Sequence, residues 1–318
     1  MMKYIAFLCS SKGGINITKL TKLLGKQQTI REAIQSCTQY LSDHQIGEPK
    51  ENVELLFLYI TNWNRATLLL NMLEVFDQKW VEPLAKVIER KAAGEPYQYI
   101  IGEQYFYGRK FIVNEHVLIP RPETELLVES VIQQIKACFG ERKVNVLDIG
   151  TGSGAIALSL KAELPHINVI ASDISSQALQ TAQQNAAYHQ LEVSFVEGDL
   201  LTPFVQDNGL KYNNVSIDVV VSNPPYIPYG DKESLQVEVE RYEPHLALFG
   251  GVDGLTPYKH MLSTIHNLTV KPDIVAFELG IHQSAIIAEQ MKQLDAWTSI
   301  DIIKDYNNID RHIVAVKK

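Results

Sequence analysis

A chain of 318 residues is long enough for roughly two domains of about 150 residues each. With 46% apolar and 21% charged residues it has an ordinary globular composition, which excludes a disordered tail, a collagen-like repeat and a disulfide-dense mini-protein. The net charge of −8 argues against a protein that holds nucleic acid mainly by its phosphates, leaves room for a local basic patch, and suits a partner with a basic surface.

No apolar run approaches the roughly 20 residues a membrane-spanning helix needs, so no membrane association is expected. The apolar stretch Tyr4–Cys9 is shorter than a secretory core and lacks a clear small-residue cleavage site, so the protein is read as cytoplasmic, not exported. Cys9, Cys37 and Cys138 are odd in number and widely spaced. They give neither a disulfide framework nor a metal-binding pair, and are read as packing residues in a reducing compartment.

Residues 1–28 have no assignable pattern and are read as an extension or a misplaced start. Thr29 followed by Glu32 is a capping-box signature, and Ile30, Ala33, Ile34, Cys37, Tyr40 and Leu41 behind it form one helical stripe. Pro49 interrupts; further helical runs are predicted over 52–60, 66–76 and 79–93, the last with Trp80, Leu84, Val87 and Ile88 on one face. Gly94 and Pro96 end it. Residues 29–96 are therefore expected to form a small helical bundle.

From residue 97 to 119 the period changes. Runs over 105–110 and 111–118, broken by Gly108-Arg109, predict a β-hairpin connecting two domains. Pro122 then opens a helix with Glu123 and Glu125 at its positive end. Beyond it, strand signals over 144–149, 168–172, 192–197, 217–222, 273–278, 299–303 and 312–316 alternate with helical ones such as 154–163 and 176–189. This predicts an α/β domain over 120–318 built on a seven-stranded, mostly parallel, doubly wound Rossmann-like sheet. The last two strands are joined by a segment too short for a parallel crossover, so the final strand is expected to run antiparallel.

Two motifs carry chemistry. In Val146-Leu147-Asp148-Ile149-Gly150-Thr151-Gly152-Ser153-Gly154 an apolar strand runs into a glycine turn and a helix start, a place where ligand can lie against bare backbone and meet free amides. Position 155 is Ala, so the pyrophosphate-type spacing is not met; the form present suits S-adenosylmethionine. Asp173, about 20 residues on, stands where an acid accepts ribose hydroxyls, and Asp199 ends the next strand, where it can accept the adenine amino group. The second motif, Ser222-Asn223-Pro224-Pro225-Tyr226, follows the fourth strand. Its prolines remove donors and leave outward carbonyls. With the Asn223 oxygen these can grip a planar NH2 group, orient its delocalised nitrogen and stabilise the charge that develops on methyl transfer. Tyr226 is expected to stack on that group.

These residues, together with Gly94-Glu95-Pro96, Tyr97-Gln98-Tyr99-Ile100-Ile101-Gly102, Ile119-Pro120-Arg121-Pro122-Glu123-Thr124-Glu125, the run Tyr242 to Gly251 and Glu278-Leu279-Gly280, resemble bacterial peptide chain release factor glutamine methyltransferases, the HemK or PrmC family, from about Thr29 onward. The resemblance implies N5-methylation of the glutamine in the Gly-Gly-Gln loop of class I release factors, with a helical N-terminal domain (29–96) that helps hold this protein substrate. It assigns Gly150, Thr151, Gly152, Ser153, Gly154, Asp173, Asp199 and Leu200 to the cofactor, and Asn223, Pro224, Pro225 and Tyr226 to the target glutamine, with Asn223 near both. Phe106 lines the transfer pocket or packs the hairpin core. Arg121 and Glu123 either shape the cofactor pocket or simply start a helix. Leu200 stands where some family members carry an aromatic. The rival reading is an N6-adenine or N2-guanine nucleic-acid methyltransferase, because the same motif suits a base amine. Such enzymes flip the base and usually carry a basic surface, whereas this chain is acidic. A binding module without catalysis is a third reading. A monomer with no direct nucleic-acid binding is expected.

Overall fold

The computed structural model describes residues 19–317; the reading of Tyr4–Cys9 lies outside them. The chain divides into two compact units between Ile101 and Gly102.

The first unit is helical: α1 (Lys19–Leu24), α2 (Ile30–Asp43), α3 (Pro49–Thr61), α4 (Arg65–Leu70), α5 (Val81–Ala92) and α6 (Tyr97–Ile101). The box before α2 is closed from both sides: Glu32 N donates to Thr29 Oγ1 at 3.3 Å, and Thr29 N donates to Glu32 Oε2 at 2.7 Å. The predicted stripe is buried against Val53, Leu56 and Phe57 of α3 and Leu84 and Ile88 of α5. Four details depart from the sequence expectation. α6 forms where the hairpin connector is expected to begin. α1 lies within the stretch left unassigned, and its Leu20 and Leu24 are buried in this core. Pro49 opens α3 instead of interrupting a helix, because the first helical turn needs no amide from it. The run over 66–76 is helical only to Leu70; beyond it the backbone turns back, Ile30 N and Phe76 N bonding to Glu74 O and Gln28 O at 2.9 Å each.

The second unit begins with the hairpin β1 (Glu103–Phe106) and β2 (Arg109–Ile112), followed by α7 (Pro122–Phe139). Then come β3 (Asn145–Ile149), α8 (Ala155–Glu163), β4 (Asn168–Asp173), α9 (Ser176–His189) and β5 (Ser194–Glu197). A small antiparallel sheet, β6 (Val205–Gln206), β7 (Gly209–Tyr212) and β8 (Val215–Ser216), precedes β9 (Val219–Ser222) and was not predicted. The chain continues through α10 (Val237–Tyr242), α11 (His245–Leu248), α12 (Thr256–His266), β10 (Ile274–Glu278), α13 (Ser284–Gln293), β11 (Ser299–Lys304) and β12 (Asp310–Val316). The seven predicted strands form one sheet in the order β11-β12-β10-β9-β3-β4-β5. Its strands from β10 to β5 run parallel, and β12 is antiparallel to both neighbours.

Both faces of the sheet are covered at its centre, which is why β9 and β10 are apolar almost throughout, while the edge strands β11 and β5 are only part-buried. Val146, Val219 and Val221 face one way, onto Leu127 and Val131 of α7 and Ile156 of α8. Leu147, Val220 and Phe277 face the other, onto Tyr258 and Met261 of α12 and Ile287 of α13. The hairpin, read from sequence as a linker, belongs to this second unit. Asn185 of α9 ties it in: Ile112 N donates to Asn185 Oδ1 at 2.6 Å, and Asn185 Nδ2 donates to Ile112 O at 3.0 Å and to Ser153 O at 2.9 Å. No helix among the described residues is long and apolar enough to cross a membrane.

Candidate active site

β3 lies between β4 and β9, so the connections that follow β3 and β9 depart on opposite sides and leave a crevice beyond their carboxyl ends. The crevice holds a cavity of about 350 Å³, a size ordinary for small-molecule sites. Into it open the ends of β3, β4, β5 and β9, which carry the two motifs.

The turn after β3 puts Gly150 and Gly152 at φ of +68° and +55°, a region open to glycine at no steric cost. Gly150, Thr151, Gly152 and Ser153 line the cavity. Gly154 does not; a Cβ there would press on Leu158 and Ala182, so its role is the close approach of α8 to α9. Beneath the turn Asp148 is fully buried, its Oδ2 accepting from Thr151 Oγ1 at 2.6 Å and from Ala157 N at 3.1 Å. Burial pushes its carboxyl up to about 7, and its Oδ1 has no hydrogen-bond partner among the described residues.

Asp173 closes β4 and lines the cavity. Its Oδ2 accepts from Gly152 N and its Oδ1 from Ser175 N, both at 2.9 Å. Burial raises this carboxyl and the amides oppose the rise. Asp199 and Leu200 follow β5 and also face the cavity, Asp199 exposed and Leu200 held at a φ of +46°.

Asn223 and Pro225 line the opposite wall, while Pro224 is buried behind them. The proline turn is fixed from several directions. Ser222 Oγ donates to Ile149 O at 2.7 Å, joining β9 to β3. Gln283 Nε2 donates to Tyr226 O at 3.0 Å. Gly250 and Gly254 let their backbone approach so closely that a Cβ would run into the Pro225 and Tyr226 carbonyl oxygens respectively. Tyr226 itself does not line the cavity. Its ring packs on the apolar layer below and its hydroxyl turns to Glu278 Oε1 at 3.5 Å, so the expected stacking gives way to a place beneath the motif.

Phe106 is fully buried edge-on to Phe111 with ring centroids 6.0 Å apart, and it lines the cavity. Arg121 lines the cavity and pairs with the buried Glu243; Glu123 stays out of it. Sequence reasoning missed Thr124, which lines the cavity beside Asn223, and Glu278 behind it; their side chains join at 2.6 Å. An acid ending the apolar strand Ile274–Glu278 was the available signal, since ligands gather at carboxyl ends of such strands.

Residues 32–102 match the PrmC N-terminal domain and residues 122–239 the methyltransferase small domain. The release factor glutamine methyltransferase of Bacillus cereus is 38% identical over 90% of this chain and 98% of its own length. That of Bacillus subtilis is 39% identical over 91% and 98%. Among solved structures, the T. thermophilus 16S rRNA N2 G1207 methyltransferase, in complex with AdoMet and guanosine, is similar at a TM-score of 0.44 and 14% identity, covering 68% of this chain and 50% of that one. Likeness at that level of identity, carried through almost the full length of the Bacillus proteins, is of one kind with descent from a common enzyme, and the chain belongs to the release factor glutamine methyltransferase family.

Proposed function

We propose that this protein transfers a methyl group from S-adenosylmethionine to the side-chain nitrogen (N5) of the glutamine in the Gly-Gly-Gln motif of class I peptide chain release factors. The observation that carries the reading is that Asn223 and the glycine turn at Gly150–Ser153 line one cavity, so an amide gripped by the first meets a cofactor held by the second.

The residues fit the cofactor. The left-handed glycines open the backbone to a ligand, Asp173 offers a carboxylate with lone pairs beyond its two amide bonds, Asp199 is free to meet an amino group at the far end, and Leu200 supplies an apolar wall. When bound, S-adenosylmethionine supplies an electrophilic methyl group on a sulfonium.

The chain's own contribution is orientation and electrostatics. An amide nitrogen is a poor nucleophile because its lone pair is shared with the carbonyl. Asn223 Oδ1 accepts one N–H of the glutamine and a proline carbonyl of the turn accepts the other. These bonds aim the nitrogen and strengthen as it becomes positive. Tyr226 supports the turn from below. The nitrogen is acidic once methylated and gives its proton to solvent, so no side-chain base is needed. Phe106 helps exclude water from the pocket. The helical unit is proposed to help hold the release factor, and the protein to act as a cytoplasmic monomer without direct nucleic-acid binding.

The test is tritiated-methyl transfer by the purified protein to a class I release factor, to the same factor with its Gly-Gly-Gln glutamine changed to alanine, and to mixed DNA and rRNA. Label on the intact factor alone is expected. Label on nucleic acid instead would move the enzyme to the base-amine class.

A further inference from the structure

Behind the proline turn lies a chain of buried polar contacts that the proposed chemistry leaves unexplained. Asn223 Nδ2 donates to Thr124 Oγ1 at 3.2 Å, and Thr124 Oγ1 donates to Glu278 Oε2 at 2.6 Å. Thr124 is 4% exposed and Glu278 1%. The three residues come from the loop after β9, the first turn of α7 and the last position of β10. Glu278 is pinned on its main chain as well: its carbonyl accepts from Tyr258 Oη at 2.6 Å, and it stands opposite His312 in the β10–β12 ladder. The His312 ring is fully buried with Nε2 3.7 Å from Glu278 Oε2. Tyr226 Oη reaches the other carboxyl oxygen at 3.5 Å.

We infer that Glu278 and Thr124 are positioning residues that set which end of the Asn223 amide faces the substrate; the inference rests on the role proposed for Asn223 above. A carboxylate only accepts hydrogen bonds, and threonine has a single hydroxyl proton. With that proton committed to Glu278, the Thr124 oxygen turns a lone pair toward Asn223 and can receive only an N–H. An Asn223 amide turned end for end would bring two acceptor oxygens together and lose the contact. The relay therefore holds Nδ2 inward and leaves Oδ1 without a donor among the described residues. Oδ1 is the atom that a target NH2 group needs. Without the relay both amide orientations are open, and one of them presents donors to a donor.

The experiment compares Thr124→Val, Thr124→Ser, Glu278→Leu and Thr124→Val/Glu278→Leu with Asn223→Ala in methyl transfer to a purified class I release factor, with S-adenosylmethionine affinity measured by calorimetry on each. Thr124→Val keeps the shape and removes the hydroxyl. It is expected to lower kcat about tenfold to a hundredfold, while cofactor Kd and release factor KM stay within about twofold. Thr124→Ser restores the hydroxyl and is expected to recover kcat to within about fivefold of the wild type. Because Glu278 acts through Thr124, the double variant is expected to lose no more than Thr124→Val alone. A kcat for Thr124→Val within about threefold of wild type, a loss confined to cofactor Kd, or additive losses in the double variant would each overturn the relay. Should Thr124→Val fail to fold, Glu278→Leu, which leaves the Thr124 hydroxyl no acceptor there, decides: a drop of about fivefold or more supports the relay and a smaller one overturns it. Asn223→Ala separates the two levels. Transfer retained in that variant overturns the role of Asn223 itself, whereas transfer lost there but normal in Thr124→Val overturns only the relay.

Discussion

Asp173 accepts the backbone amide of Gly152 at 2.9 Å, so the acid that closes β4 and the turn that follows β3 are one construction. The carboxylate that is proposed to meet the cofactor's ribose also fixes the loop over which the cofactor lies. Replacing Asp173 with alanine removes the ribose acceptor and the ties to Gly152 and Ser175 together. The expected outcome is a cofactor Kd raised about tenfold or more, roughly 1.4 kcal/mol, read by calorimetry. An unchanged Kd would remove Asp173 from the cofactor site.

Gly254 sits at a φ of +71° against the Tyr226 carbonyl. Gly254→Ala forces the proline turn to move, and a displacement of about 1 Å in a positioning element can cost about a hundredfold in rate. Methyl transfer should fall on that scale while cofactor affinity, proposed to be set on the other wall, changes by no more than about threefold. Full activity in this variant would mean that the turn tolerates displacement.

Asp148 gives the fold a pH dependence of defined sign. Burial raises its carboxyl to about 7 from an ordinary 3.8, so between these values the folded protein keeps a proton that the unfolded chain has released. Its contribution is fully present below about pH 4 and is lost as pH rises through about 7. Without cofactor, urea unfolding should show the wild type losing on the order of 2 kcal/mol from pH 5 to pH 7 relative to Asp148→Asn. Parallel pH profiles would assign Asp148 an ordinary titration.

Thr29 and Glu32 close both ends of the box before α2. Thr29→Ala is expected to cost about 1 kcal/mol, seen as a lower midpoint in denaturant unfolding of the helical unit. An unaltered midpoint would show that the tertiary contacts of Ile30 and Ile34 alone hold this helix start.

The sheet was legible because its central strands, buried on both faces, are short apolar runs set between helical patterns, and because the link over 304–311 leaves no room for a crossover. The cofactor turn and the proline turn were legible because each is contiguous in sequence. What escaped has physical causes. Tyr97–Ile101 forms a helical turn although its residues favour strands. The strands β6 to β8 are two to four residues long, too short to show a period. Thr124 and Glu278 are 154 positions apart, and neither motif hints at the other: the threonine reads as part of a helix start and the glutamate as the end of a strand. Tyr226 stands in the right motif, yet the side chain is claimed by Glu278, which no local pattern reveals.

The contacts beneath Asn223 have a kinetic consequence. They need Thr124 to meet Glu278 across 154 positions of chain and Asn223 to meet Thr124 across 99. The proposed cofactor walls, by contrast, come from β3, β4 and β5, which are consecutive in the chain and need only short-range closures. Contacts of long sequence separation form late. A refolding molecule should therefore regain the capacity to bind S-adenosylmethionine before it regains the capacity to use it, the floor under Asn223 being the last part laid.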